Sequence, residues 1–281
     1  MVRKSKKRRM AEFLIITLVV YIFTTGLLYF FQRKLIYFPP SVPIEQMTGL
    51  LTGYEPVRVL TEDGLKLTGF FTAPVDPGKP IIIAFHGNAS HPAWMAPFFS
   101  DMVQAGYGVL LAEYRGYGGN SGHPTEDGLY KDAEAFFQSD VLNKYRATNP
   151  IIIYGQSLGS GVAVNLAQKH NAEIRALILE VPFENLLAVV AMHYPFVPFK
   201  SVLLKDQFKS DLKIADVKAP KLFILAGKDR VVGYKTGRAL FDLSPEPKQM
   251  VEYKEADHNT VEMYEASKAV QNFIEGILHE K

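Results

Sequence analysis

Nine consecutive residues carry the strongest signal in this chain: Ile151-Ile152-Ile153-Tyr154-Gly155-Gln156-Ser157-Leu158-Gly159. The first four are apolar and predict a buried strand, and a predicted helix covers residues 161–169. A sharp turn between them would hold Ser157 in a strained backbone conformation. Gly155 and Gly159 would let the helix pass close to the strand. Because such a turn lifts the hydroxyl above the sheet, the stretch predicts a nucleophilic serine at position 157.

Apolar strands and helices alternate on both sides of this stretch. Strands are predicted at 81–85, 107–112, 151–154, 176–181, 222–226 and 249–253, and helices at 93–104, 126–139, 161–169, 184–192, 235–243 and 260–277. Continuous apolar strands separated by helices indicate a mostly parallel, doubly wound sheet covered on both faces. Residues 57–60 and 65–71 predict an antiparallel hairpin at its N-terminal edge. The predicted fold class is therefore α/β.

Composition excludes several classes of function. The 281 residues are 48% hydrophobic and 21% charged, which is typical of a globular chain with a sizeable core. The net charge of +2 is too small to indicate a nucleic-acid partner for the whole protein. With no cysteine, the chain has no disulfide, thiolate nucleophile or cysteine metal site. No metal-ligand spacing appears in the sequence, and no cofactor is expected.

The N-terminus combines a basic cluster with an apolar run. Six of the first ten residues are Lys or Arg, and residues 13–31 carry no charge. As a helix this run would be roughly 28 Å long, close to the ~30 Å hydrocarbon core of a bilayer. A cleaved signal peptide usually has a shorter apolar run and a small-residue cleavage site, and a nucleic-acid arm would not continue into uncharged residues. An uncleaved signal anchor is the favoured interpretation.

These features predict a domain organisation and a topology. Residues 1–12 form a basic cytoplasmic tail, 13–31 a transmembrane signal anchor in the lipid bilayer, 32–54 a proline-punctuated linker and 55–281 the catalytic domain. The excess of basic residues before the span places the N-terminus in the cytoplasm and the domain outside it, in the periplasm or a lumen. Residues 193–216 are a long apolar insertion and predict a lid over the substrate, with Tyr194, Phe196 and Phe199 as its aromatic contacts. A surface loop is the alternative.

A serine nucleophile needs a general base, and in a parallel sheet that base comes from a loop at the carboxyl end of a strand. His258 lies between the last predicted strand and the last predicted helix. The other six histidines lie at helix ends, in other loops or near the C-terminus. His86, which closes a strand directly before Gly87, is expected to support its loop instead. We predict that His258 is the base.

The base in turn needs an acid that fixes its tautomer. Asp229 follows the apolar strand 222–226 and precedes His258 by one strand, so the chain order is serine, acid, histidine. Lys228 and Arg230 flank it, and their charge would lower its pKa or favour an anionic substrate. The rival acids are Glu180, Asp206 and Asp211. Asp229 is the predicted acid.

Acyl transfer also needs two N–H donors for the oxyanion, each contributing a few kcal/mol in the transition state. The backbone amide of Leu158, just after the nucleophile, is one candidate. The other is the amide of Asn88, in the loop His86-Gly87-Asn88-Ala89 after the first parallel strand. The glycine-rich segment 115–120 lacks the pattern of a phosphate-binding loop, so we interpret it as structural.

These motifs together resemble the α/β-hydrolase superfamily. The resemblance covers residues 33–278 and rests on the His86-Gly87-Asn88-Ala89 loop, the 114–122 segment, the turn at Ser157, and the surroundings of Asp229 and His258. Residues 35–39, Leu-Ile-Tyr-Phe-Pro, are similar to the segment that follows the anchor in membrane-anchored ABHD-type serine hydrolases. The resemblance implies a Ser157–Asp229–His258 triad and esterase, lipase or thioesterase-like activity.

The functional hypothesis is therefore a membrane-anchored serine hydrolase acting on an acyl ester or thioester, possessing no cofactor. The anchor and the apolar lid suggest a lipid-like substrate. Two alternatives stay open: a catalytically silent hydrolase fold that serves as a tethered binding module, and a serine peptidase on the same scaffold. A serine at the turn disfavours chemistries that need a carboxylate nucleophile there.

Overall fold

The computed structural model describes residues 5–40, 42–197 and 199–279. Parts of the predicted organisation lie outside the described residues: residues 1–4 of the basic tail, Ser41 of the linker, Pro198 of the lid segment, and residues 280–281 of the catalytic domain.

One sheet organises the described part of the chain. Its strands are β1 (Glu55–Leu60), β2 (Lys66–Thr72), β3 (Ile81–Phe85), β4 (Gly108–Ala112), β5 (Ile151–Gln156), β6 (Ala176–Glu180), β7 (Lys221–Ala226) and β8 (Lys248–Tyr253). They lie in the order β1-β2-β4-β3-β5-β6-β7-β8. β1 pairs antiparallel with β2, and β2 with β4, whereas all pairs from β4 to β8 are parallel. The predicted parallel sheet with an antiparallel leading hairpin is confirmed.

The α-helices of the described residues are α1 (Lys6–Ile36), α2 (Ile44–Leu50), α3 (Pro92–Met95), α4 (Ser100–Gln104), α5 (Glu126–Phe137), α6 (Asp140–Asn143), α7 (Leu158–Lys169), α8 (Leu186–His193), α9 (Lys200–Leu203), α10 (Tyr234–Leu243) and α11 (Ala266–His279). The helix predicted at 93–104 is interrupted by a 3₁₀ turn, Ala96–Phe99, because Pro97 has no N–H to donate. The helix predicted at 260–277 starts later, at Ala266, because Glu265 has a left-handed φ of 63°.

The core has two layers because alternate residues of each strand face opposite sides of the sheet. Ile81, Ile83 and Phe85 of β3 pack in the layer that contains residues of α5 and α7. Ile82 and Ala84 pack in the layer that contains residues of α4 and α11. All five β3 side chains are buried, as a central parallel strand requires. The carboxyl ends of the strands are thus held in place by a core packed on both faces of the sheet.

Helix α1 is longer than the predicted span. It continues through Leu35 and Ile36, which lie in the predicted linker 32–54, because the prolines that stop it come only at Pro39 and Pro40. Its length and composition suffice to cross a membrane, a test that a signal sequence also passes, and none of its most apolar window is buried in the protein. This exposure distinguishes α1 from a core helix.

Candidate active site

Ser157 occupies the turn between β5 and α7. Its backbone has φ 50° and ψ −116°, an unfavourable conformation for a residue with a side chain. The N–H of Ser157 donates to the carbonyl oxygen of Glu180 at 2.9 Å, which ties the turn to the neighbouring strand β6. The backbone thus has the strained geometry that the sequence predicts, and surrounding hydrogen bonds hold it.

Two glycines make this turn possible. A Cβ at Gly159 would overlap the carbonyl oxygen of Phe85 and lie 2.8 Å from that of His86. A Cβ at Gly155 would overlap the carbonyl oxygen of Gly159 and lie 2.6 Å from the Cβ of Ala163. Both clashes involve helix or strand backbone, so the close approach of α7 to the sheet requires glycine at these positions.

The side chains of Ser157, His258 and Asp229 form one hydrogen-bonded chain. The His258 Nε2 atom lies 2.9 Å from Ser157 Oγ, and His258 Nδ1 lies 2.8 Å from Asp229 Oδ2. A carboxylate only accepts, so the proton of a neutral imidazole sits on Nδ1 and leaves Nε2 free to accept from the serine. The three residues follow the carboxyl ends of β5, β8 and β7. The structure thus brings together all three predicted residues.

Backbone amides hold the carboxylate of Asp229. Its Oδ1 accepts hydrogen bonds from the N–H groups of Val231, Val232 and Gly233, at 2.9, 3.0 and 3.3 Å. Burial works to raise the pKa of Asp229, but the hydrogen bond and charge of His258, together with these amides, hold the pKa below its ordinary value of 3.8. The acid is therefore ionised at neutral pH and oriented from both of its oxygens.

The side chains of the two cations that flank Asp229 are exposed to solvent, whereas the sequence suggested that their charge would act on its carboxylate or on a substrate. Lys228 forms an ion pair with Glu255, and both side chains are exposed. Arg230 is exposed as well. The groups that lower the pKa of Asp229 are accordingly His258 and the backbone amides, whereas Lys228 is paired with Glu255.

The three rival acids bind other groups. Glu180 accepts from Tyr154 and Gln156 at 2.6 and 2.7 Å, Asp206 pairs with Arg33 at 2.8 Å, and Asp211 accepts from Asn185 at 2.8 Å. Glu180 is fully buried next to the turn, and its burial raises its pKa. It supports the turn through Gln156, and no hydrogen bond joins it to His258 in the part of the chain that the structure describes.

The two predicted oxyanion donors line the same cavity as Ser157. Neither the N–H of Leu158 nor that of Asn88 donates a hydrogen bond to any part of the chain that the structure describes. Leu158 is the first residue of α7, where the helix dipole favours negative charge. Two free amides beside a serine hydroxyl are the arrangement that a developing oxyanion needs.

His86 lies beneath the oxyanion loop. Its Nε2 lies 2.8 Å from Glu113 Oε1 and its Nδ1 lies 2.8 Å from the carbonyl oxygen of Gly87, and the ring is fully buried. The hydroxyl of Tyr114 donates to the carbonyl oxygen of His86 at 3.0 Å. This environment suits a residue that supports the loop. A Cβ at Gly87 would lie 3.3 Å from the Cβ of Ser157, a tight but less severe contact than those at the turn.

The glycine-rich segment that begins at Arg115 is structural in its contacts. The guanidinium of Arg115 binds Asp132 and Asp63, at 2.8 and 2.7 Å. The side-chain amide of Asn120 bridges the backbone of Thr68 and Glu113. These contacts attach the loop after β4 to the sheet edge.

A cavity of about 410 Å³ opens over Ser157, and mostly apolar side chains line it. Of the predicted lid aromatics only Tyr194 contributes. Phe196 and Phe199 are 64% and 78% exposed and do not line the cavity, so their predicted contact with substrate is wrong for this conformation. Aliphatic side chains line this side instead: Leu186, Val189, Val190, Val197, Leu203 and Leu204.

Helix α1, which the sequence predicts only as an anchor, also contributes to the cavity over Ser157. Thr25, Leu28, Tyr29 and Gln32 of α1 line the cavity together with Ser157. One signal was available: Gln32 and Arg33 are polar residues directly after an apolar span, and both find partners on the domain.

Comparison with known proteins finds relatives of this chain. The Hydrolase_4 family model, described as serine aminopeptidase, S33, matches residues 76–206. An uncharacterized protein of Mycobacterium tuberculosis is 37% identical over 235 residues, which cover 83% of this chain and 82% of that protein. The human protein ABHD12B is 30% identical over 194 residues, 62% of this chain and 52% of its own length.

The fold also matches solved structures. The esterase Pf2001 of Pyrococcus furiosus superimposes with a TM-score of 0.68 at 21% identity, covering 84% of this chain and 95% of the esterase. The sheet order, the serine turn after β5 and the family match support a serine hydrolase of the α/β type. The chain belongs to the α/β-hydrolase superfamily.

Proposed function

We propose that this chain is a membrane-anchored serine hydrolase that cleaves carboxylic ester or thioester bonds. The observation that carries the proposal is the chain of hydrogen bonds from Ser157 through His258 to Asp229, at 2.9 and 2.8 Å, beside an apolar cavity. A strained backbone at the serine, an imidazole bonded to its hydroxyl and a buried carboxylate bonded to the imidazole are together typical of a catalytic serine and not of a structural one.

In the acylation step, Ser157 Oγ bonds to the carbonyl carbon while His258 Nε2 takes the hydroxyl proton. The imidazolium that forms is stabilised by Asp229, which stays ionised. The negative carbonyl oxygen accepts hydrogen bonds from the amides of Leu158 and Asn88, each contributing about 3 kcal/mol to the transition state. Collapse of this intermediate breaks the bond to the alcohol or thiol, which leaves with the proton from His258.

Deacylation repeats the same chemistry with water. His258 Nε2 takes a proton from water as its oxygen bonds to the acyl carbon, and the same two amides bind the second oxyanion. Breaking the bond to Ser157 Oγ releases the carboxylic acid, and His258 returns the proton to the serine. This chemistry needs only residues of the chain and water.

The lining of the cavity favours an acyl substrate over an amino-terminal peptide. An aminopeptidase binds a substrate ammonium group, for which carboxylates are the natural partners. Among the described residues that line the cavity there is no Asp or Glu. The peptidase alternative predicts hydrolysis of aminoacyl amides. Parallel assays of aminoacyl p-nitroanilides and p-nitrophenyl esters would detect it.

Labelling with a fluorophosphonate probe in detergent tests the proposal. We expect wild type to be labelled and Ser157→Ala to lose all labelling, because the probe reacts only with an activated serine. Ser100→Ala is the matched control, since Ser100 is exposed and does not line the cavity. A folded wild type that resists labelling would contradict the proposed activity and favour a binding module.

We further propose that α1 is the anchor, with the N-terminus in the cytoplasm and the catalytic domain on the opposite side. The absence of cysteine makes this testable, because each introduced cysteine is then unique. In intact cells, we expect a membrane-impermeant maleimide to label Ser100→Cys. Lys7→Cys should be labelled only after permeabilisation. The reverse pattern would contradict the orientation.

A further inference from the structure

The cavity over Ser157 is walled on one side by the membrane helix. Its α1 residues are Thr25, Leu28, Tyr29, Gln32, Leu35 and Ile36. Spacings of three and four residues bring these side chains onto one face of the helix. The facing wall comes from α8, whose residues Leu186, Val189 and Val190 follow the same helical spacing. The cavity is thus a cleft between α1 and α8.

Polar contacts fix α1 against the domain at the end of its apolar run. The Gln32 side chain donates to the carbonyl oxygen of Leu203 at 3.1 Å and accepts from the N–H of Lys205 at 2.8 Å. Arg33 pairs at 2.8 Å with Asp206, whose side chain is only 3% exposed. Leu203 ends α9, and Lys205 and Asp206 follow it, so these contacts hold α1 against the lid segment.

The lid also contacts α1 deep within the predicted span. The hydroxyl of Tyr21 donates to the carbonyl oxygen of Phe196 at 3.0 Å. Tyr21 lies ten residues before Phe31, the predicted end of the span, which is about 15 Å along a helix. If residues 13–31 cross the bilayer, the tip of the lid lies among acyl chains. The exposure of Phe196, Phe199 and Val202, all apolar, suits that surrounding.

Among the described residues that line the cleft, the two with basic side chains already have hydrogen-bond partners. Lys200 Nζ donates to the carbonyl oxygen of Pro195 at 3.1 Å, and His193 Nε2 lies 2.8 Å from the carbonyl oxygen of Val231. The remaining surface is predominantly aliphatic. An uncharged chain is therefore a better occupant than a charged or polar group.

We propose that this cleft is an acyl-chain site that loads laterally from the bilayer, with α1 as the wall that sets chain length. The inference rests on the proposed esterase or thioesterase function and names its substrate class: a membrane-resident amphiphile with a long acyl chain. From Ile36 to Thr25 the wall is about 16 Å long, similar to the ~15 Å half-thickness of a bilayer hydrocarbon core. The scissile carbonyl lies at Ser157, and the tail extends along α1.

A tryptophan pair on α1 tests the wall. Leu28 lines the cleft, whereas its neighbour Leu27 is exposed and does not. We expect Leu28→Trp to lower kcat/KM for p-nitrophenyl palmitate in mixed micelles by about tenfold or more, because the larger indole ring would fill the space along α1 that the long tail needs. The ratio of kcat/KM for palmitate to kcat/KM for p-nitrophenyl butyrate should therefore fall, because the shorter chain reaches less of the α1 wall. Leu27→Trp should change neither ester.

Cross-linking on the unmodified protein gives a second readout. A long-chain alkyl fluorophosphonate with a terminal diazirine would react at Ser157, and light would then join its tail to the nearest residues. We expect adducts in residues 21–29 of α1, identified by mass spectrometry of digests. Adducts confined to other surfaces of the domain would overturn the proposal even if Leu28→Trp failed to fold.

The outcomes separate the two proposals. If wild type hydrolyses neither ester and is not labelled, the catalytic function itself is contradicted. If wild type is labelled and hydrolyses butyrate, the catalytic function stands. If Leu28→Trp and Leu27→Trp then have the same chain-length preference as wild type, only the acyl cleft along α1 is contradicted.

Discussion

The side chain of Asn88 accepts a hydrogen bond at 2.9 Å from the backbone N–H of Phe38, two residues beyond the end of α1. Its amide group also donates to the carbonyl oxygen of Ile36, the last residue of α1. The loop proposed to bind the oxyanion is therefore attached to the C-terminal end of α1. The position of the helix and the geometry of the loop are coupled through one side chain.

This coupling predicts that Asn88→Ala slows catalysis while keeping the backbone amide. We expect kcat for a short ester to fall roughly 10–100-fold with little change in KM, because small misplacement of a preorganised group is costly. Tyr117→Phe is the control. It removes one hydrogen bond to Asn88 Oδ1, of 2.8 Å, and keeps those from the α1 exit. An unchanged kcat for Asn88→Ala would contradict the assigned role.

The lowered pKa of Asp229 predicts how stability depends on pH. Because the folded-state pKa lies below the ordinary value of 3.8, the ionised carboxylate stabilises the folded protein. That contribution is complete above the ordinary value and is lost as pH falls through the folded-state pKa. The difference in free energy of unfolding between wild type and Asp229→Asn should thus be greatest near neutral pH and shrink below about pH 4.

Urea unfolding at a series of pH values checks this sign. A difference that widens toward acidic pH would show that the folded state raises the pKa of Asp229. The same variant should have kcat about 10³–10⁴-fold lower at neutral pH, because an amide no longer enforces the His258 tautomer.

The close approach of α7 to the sheet predicts a large effect of one methyl group. Gly159→Ala would overlap backbone of Phe85, so we expect the free energy of unfolding to fall by about 3 kcal/mol or the chain to misfold. Gly276→Ala is the matched control, because no atom lies within 4 Å of its Cβ position in α11. It should raise stability by about 0.5–1 kcal/mol. Equal effects in denaturant unfolding would contradict the packing argument.

The Arg33–Asp206 pair predicts the local stability of the segment after α1. Tyr37 is buried, so cleavage there by chymotrypsin requires local opening. Asp206→Asn should accelerate that cleavage about tenfold, since loss of a partly buried ion pair costs more than 1 kcal/mol. Asp242→Asn breaks the exposed Arg238–Asp242 pair and should leave the rate unchanged. Equal rates in both variants would show that the pair does not hold α1.

Local patterns predicted much of this architecture. The continuous apolar runs of β3 and β5 indicated buried parallel strands, and the structure confirms them with full or nearly full burial. Errors fell at element ends, where one residue overrides a periodic pattern: Pro97 interrupts a predicted helix, and Glu265 delays another. Such boundaries depend on single backbone conformations, to which apolar periodicity is insensitive.

The amino-acid sequence by itself predicted the α/β fold class, the strained turn at Ser157 and the three residues that meet there, because strands, glycines and loop positions are local properties of the chain. The tertiary structure alone revealed that α1, together with α8, lines the cleft over Ser157. It also brought Gln32 to Leu203 and Tyr21 to Phe196, pairs more than 170 residues apart. An apolar helix has the same composition whether it faces lipid or substrate, so only its packing distinguishes the two.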